Sequence, residues 1–165
     1  MTEFATKLKY ESKLNNLTYY SEKNFINDKE SFRKVVYEFA KGTRVFKVSV
    51  KLKNPKTGQY IPVKAIWDTG AKNTAISEIR FSELGLEKKN IIKVSTANGI
   101  IESFDCYADL EFCRELILEN HRLLVQDLPE DVDILIGTDI ILLGDFSIRN
   151  CDDCIELELK LNNEN

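Results

Sequence analysis

The residues best placed for chemistry lie in one stretch, Ala65-Ile66-Trp67-Asp68-Thr69-Gly70-Ala71, followed by Lys72-Asn73-Thr74-Ala75-Ile76-Ser77. An apolar run of strand character stops at a carboxylate, a hydroxyl and a glycine, then resumes. The apolar residues ahead of Asp68 put its carboxylate at a strand end, and Gly70 permits a tight turn and the close approach of a second backbone. A carboxylate held this way is a candidate for proton transfer. Asp and Gly also dominate ordinary turns through local hydrogen bonding and backbone freedom, so these three residues alone also describe a plain strand ending. A second apolar run closes in the same manner, Asp133-Ile134-Leu135-Ile136-Gly137-Thr138-Asp139, ahead of Ile140-Ile141-Leu142-Leu143-Gly144. Two buried strands that each end in Gly with Asp and Thr point to two elements meeting at one site.

In these residues the chain resembles the retropepsin-like aspartic proteases, the family of the retroviral proteases and their cellular and bacterial relatives. The matching residues are two apolar positions before Asp68-Thr69-Gly70-Ala71, then Thr74 and Ile76, and later Ile134-Leu135-Ile136-Gly137 with Asp139 opening a short apolar helix. Between them Thr96-Ala97-Asn98-Gly99 falls where the family carries its flap hairpin. The resemblance spans roughly residues 44 to 160. It implies a mostly β fold, one closed acid-protease β-barrel lobe per chain with one or two short helices. It also implies that Asp68 is catalytic, that Thr69, Gly70, Ala71, Thr74 and Gly137 support it, and that Asp139 ties the short helix to the Asp68 turn. The flap reading assigns Thr96, Ala97, Asn98, Gly99 and Ile100 to substrate binding. No cofactor is implied. Lys72 stands where relatives often have a small or acidic residue.

Acid-protease chemistry needs two carboxylates close enough to share a proton, because two like charges at about 3 Å do not both ionise. This chain of 165 residues carries one Asp-Thr-Gly. The second carboxylate is therefore expected from another copy, giving a two-fold symmetric homodimer acting on a peptide or protein substrate.

The elements that must position these groups follow from pattern. Residues 1–43 read as an N-terminal extension: a loosely ordered arm over 1–27, then an amphipathic helix over about 28–41. There Phe32, Val35, Val36, Phe39 and Ala40 repeat at helical spacing and Gly42 follows as a stop. Residues 44–161 read as the protease domain and 162–165 as a polar tail. Alternation over 44–52 and an apolar run over 60–67 flank Asn54-Pro55-Lys56-Thr57-Gly58, an opening hairpin that delivers Asp68. A short helix is expected over 78–84, closed by Gly85. Asn98-Gly99 between 91–97 and 100–107 is a strong hairpin signal. Strands follow over 107–112, 116–125 and 132–136, with a helix over 138–143 and a last hairpin of 145–149 with 155–161.

Composition excludes several classes. Hydrophobic content of 43% over 165 residues supports one packed domain. The net charge of −4 carries no basic cluster, so no nucleic-acid partner is expected. No apolar run has membrane-spanning length and the amino terminus has no secretory pattern, so the expected address is the cytoplasm. His121, the single histidine, reads as an exposed strand residue, and 127–133 as a solvated acidic loop. Cys151-Asp152-Asp153-Cys154 has zinc-knuckle spacing, yet Cys106 and Cys113 do not complete it, so four free thiols and no metal are expected. Two further classes stay open: a catalytically idle dimer that binds peptide or supports assembly, and a cysteine-based metal or redox regulator.

Overall fold

The computed structural model describes residues 8–11, 18–21, 33–96 and 99–161. In chain order these form β1 (Leu8–Glu11), β2 (Thr18–Ser21), β3 (Arg33–Ala40), β4 (Lys47–Lys53), β5 (Tyr60–Trp67), β6 (Ala75–Ser77), α1 (Glu78–Glu83), β7 (Ile91–Thr96), β8 (Gly99–Cys113), β9 (Leu116–Gln126), β10 (Ile134–Ile136), α2 (Thr138–Ile141), β11 (Gly144–Asn150) and β12 (Cys154–Leu161). They divide into two units, one holding 47–112 with 117–140, the other the described residues up to 46 with 113–116 and those from 141 onward.

The first unit is a barrel. Its strands run β4-β5-β10-β6-β9-β8, and β8 pairs back onto β4 from Lys51↔Glu111 to Lys53↔Asp109, so six strands close into a barrel; β7 adds to β8 as a seventh. Alternation decides what faces inward. Val48, Val50 and Leu52 of β4 are buried, as are Val63 and Ala65 of β5, while the residues between them stay partly or fully exposed. Trp67 stacks on Phe112 with ring centroids 5.6 Å apart. β10 has three residues and Ile134 and Ile136 are fully buried, as expected of a strand paired on both sides. The opening hairpin matches expectation, with β5 covering 60–67. The stretches expected as separate strands over 100–107 and 107–112 are one continuous strand, β8.

The second unit is a five-stranded sheet ordered β1-β2-β3-β12-β11. Here the expected helix over about 28–41 is corrected: residues 33–40 are strand β3, and 28–32 lie outside the described residues. Val35, Val36 and Tyr37 are buried in succession, which a strand covered on both faces shows and a one-sided helix does not. The same residues satisfy a 3.6 period, but β-branched and aromatic side chains fit a pleated sheet, and β12 supplies an eight-residue ladder from Arg33↔Leu161 to Ala40↔Cys154. Long-range pairing overrides the local periodicity. The arm over 1–27 is corrected likewise, since β1 and β2 lie within it and pair antiparallel.

Candidate active site

The candidate site lies at the end of the parallel pair β5 and β10, where Ala65, Ile66 and Trp67 stand opposite Ile134, Leu135 and Ile136. On the other side β10 pairs antiparallel with β6 through Ile134↔Ile76 and Leu135↔Ala75. Chain 68–74 therefore loops from one flank of β10 to the other. Past the last pair, Asp68 N–H donates to Ile136 C=O at 2.9 Å. The turn then closes on itself: Gly70 N–H donates to Asp68 Oδ1 at 2.8 Å and Ala71 N–H to Asp68 C=O at 3.2 Å. Among the described residues no donor meets Asp68 Oδ2, while Thr69, Gly70 and Lys72 are exposed. One carboxylate oxygen is held by backbone and the other is available.

Gly137 has a steric reason. A Cβ there would lie 2.6 Å from Asn73 C, 2.8 Å from Asn73 O and 3.0 Å from Ala71 O, all backbone atoms that cannot swing aside. The strand end and the Asp68 loop touch backbone to backbone, and Thr138 N–H donates to Ala71 C=O at 2.8 Å. Thr74, fully buried, joins the two sides: its Oγ1–H donates to Asp139 Oδ1 at 2.7 Å, its N–H donates to Asp139 Oδ2 at 2.9 Å, and its Oγ1 accepts from Gly137 N–H at 3.1 Å. Burial pushes the Asp139 carboxyl up, but hydrogen bonds from His121 and from both Thr74 donors outweigh it and hold the group below the ordinary carboxylate value. Asp68, Gly70, Ala71, Thr74, Gly137 and Asp139 thus converge in one hydrogen-bonded constellation, with Thr69 exposed at the turn itself.

The hairpin β7–β8 pairs from Ile91↔Phe104 to Thr96↔Gly99. Of the flap residues named from sequence, Gly99 has φ +118° and Ile100 is 74% exposed, whereas Ala97 and Asn98 lie outside the described residues. Two residues carry more than the sequence reading gave them. His121 is half-buried rather than exposed, and its Nε2 lies 3.4 Å from Asp139 Oδ2. Asp133, read as part of a solvated loop, accepts from Lys64 N–H at 2.8 Å and Arg80 Nε–H at 2.9 Å.

The cysteines are four free thiols. Burial pushes the Cys106 thiol up to about 12 and the Cys113 thiol up to about 11, which favours the protonated form of both at neutral pH. Cys151 N–H donates to Cys154 C=O at 3.0 Å across the β11–β12 turn, and among the described residues no three metal-ligating side chains gather.

The family model described as "Aspartyl protease" matches residues 48–140, more than half of the chain and the whole path from β4 to α2. The chain belongs to the aspartyl protease family. Among solved structures, this aspartyl protease family member is similar to a retropepsin-like aspartic protease from Rickettsia conorii, with TM-score 0.52 and 17% identity, covering 84% of this chain and 100% of that one. That likeness shows a shared retropepsin-like fold. The EIAV protease complexed with the inhibitor HBY-793 aligns with TM-score 0.47 and 17% identity over 62% of this chain and 89% of that one. The retroviral protease-like domain of Ddi1 from Leishmania major aligns with TM-score 0.42 and 15% identity over 69% and 95%. The chain has no match among curated proteins.

Proposed function

We propose that this family member is an aspartic endopeptidase active as a homodimer, with Asp68 of each copy forming the catalytic pair. The observation that carries the reading is the Asp68 turn itself: a carboxylate at the end of a buried strand pair, one oxygen held by Gly70 N–H, in a chain with a single Asp-Thr-Gly. One ionised Asp68 takes a proton from a bound water as its oxygen attacks the scissile carbonyl carbon. The protonated Asp68 of the second copy donates to the carbonyl oxygen as the tetrahedral adduct forms. The adduct collapses as its C–N bond breaks and the amine nitrogen takes up a proton from the pair. Thr69 would link the two turns across the axis and keep the carboxylates coplanar. The β7–β8 hairpin would close over the peptide and exclude water, with Thr96, Ala97, Asn98, Gly99 and Ile100 proposed as its substrate-binding residues. The substrate is thus an extended peptide or protein segment, and no cofactor takes part.

Cleavage of a diverse peptide library between pH ~4 and ~8 by the wild type and by Asp68→Asn, with molar mass by light scattering, tests this. Discrete cleavage in dimeric wild-type samples, abolished by Asp68→Asn, is expected. Cleavage that survives the substitution, or a dimeric wild type that cuts nothing, overturns it.

A further inference from the structure

We propose that His121 is a positioning residue for the Asp68 turn, acting through Asp139 and Thr74. Its effect on turnover rests on the protease reading above, whereas its effect on the turn does not. The route is continuous. β9 is registered on the loop end, because Ala75 stands opposite Leu124 and Leu124 N–H donates to Thr74 C=O at 3.0 Å. That register brings the His121 ring to α2, with its Nε2 3.4 Å from Asp139 Oδ2. An ionised carboxylate only accepts, so the ring must present Nε2–H to it.

Both oxygens of Asp139 are then engaged: Oδ1 by Thr74 Oγ1–H and by Ile140 N–H at 3.0 Å, Oδ2 by Thr74 N–H and His121. The Thr74 hydroxyl has one hydrogen. Spending it on Asp139 turns its lone pairs toward Gly137 N–H, and Gly137 is the residue packed against the backbone of Asn73 and Ala71. The next amide, Thr138 N–H, holds Ala71 C=O, whose own N–H closes the Asp68 turn. Without His121, Oδ2 keeps Thr74 N–H as its one donor, and the side of this half-buried carboxylate toward β9 is left to water, so that any turn of the carboxylate passes to Thr74, Gly137 and the Asp68 loop. His121 supplies the contact on that face. At 3.4 Å it is long for a hydrogen bond, so it contributes orientation more than binding strength.

His121→Leu removes the donor and keeps bulk; His121→Gln restores a donor at similar reach. If the leucine variant does not fold, His121→Asn, whose shorter amide falls short of Asp139, replaces it. Native-state amide exchange at Thr74 and Gly137 is expected to speed up about tenfold in His121→Leu and to return toward the wild-type rate in His121→Gln, with Val50 and Leu110 unchanged. In the dimeric enzyme kcat is expected to fall about tenfold or more with KM unchanged, again recovered by Gln, because small misplacement of a catalytic group lowers turnover without touching peptide binding. In an Asp139→Asn background the leucine substitution should add little, since the two act in series. Exchange at Thr74 and Gly137 that is equal in all variants, or that Gln fails to restore, overturns the positioning role. A wild type without turnover overturns the protease reading alone, and the exchange rates still decide the role of His121.

Discussion

At the scale of single residues, two carboxylates link the fold to acidity. Asp105, buried, is pushed up by burial but held below the ordinary carboxylate value by the Arg122 guanidinium at 2.6 Å and by the Asn90 backbone and side-chain N–H groups. Asp139 is held low in the same direction by His121 and Thr74. A depressed folded value means that the native state binds fewer protons than the unfolded chain in the acid range. The stability these groups contribute is therefore complete above the unfolded carboxylate value, near about pH 4, and is lost as pH falls through the lower folded values. Urea midpoints measured from pH ~7 downward should stay level and then drop below about pH 4. Asp105→Asn should lower the neutral midpoint and flatten that acid drop. The candidate constellation was legible in the sequence where its signal is local: Asp68, Gly70 and Thr74 lie within seven residues, and Gly137 and Asp139 within three. His121 and Asp133 were not legible, because their partners lie 18, 53 and 69 residues away and no short pattern encodes them.

At the scale of elements, Asp133 braces the barrel where β10 begins. Its side chain accepts from the backbone of β5 and from Arg80 of α1, its N–H donates to Lys64 C=O at 2.9 Å, and its C=O accepts from Ser77 N–H at 2.9 Å. One residue thus ties β5, α1 and the end of β6 to the strand that supports the Asp68 loop. Asp133→Ala is expected to cost about 2 kcal/mol, the scale of losing charge-assisted hydrogen bonds at a mostly buried carboxylate, seen as a lower urea midpoint with an unchanged slope. Elements with a strict alternation, such as β4, or with a turn signal at each end, such as β5, were readable from sequence. β3 was not. Its apolar residues fit both periods, and the ladder with β12 that decides between them is contributed by the opposite end of the described chain.

At the scale of the whole molecule, a chain with a single Asp-Thr-Gly sets a concentration dependence under the proposed function. If each active site needs Asp68 from two copies, specific activity should fall on dilution below the dimer dissociation constant and recover on concentration. Activity measured across a dilution series, alongside mass by light scattering, checks this; specific activity independent of concentration in a sample shown to be monomeric contradicts the shared site.

β12 lies between β3 and β11, and the Lys34–Glu158 ion pair across that ladder joins residues 124 apart in sequence. On a ribosome this separation is a delay. At ~5 to 20 residues per second, roughly 6 to 25 s pass between the emergence of β3 and that of its partner. The stretch that forms the barrel emerges in between and can close first. A β3 that has paired with β2 but not yet with β12 would offer one open backbone edge in a strand holding Val35, Val36, Tyr37 and Phe39, the kind of edge to which another strand adds readily. The order of emergence, rather than the strength of the finished sheet, decides which strand β3 meets first.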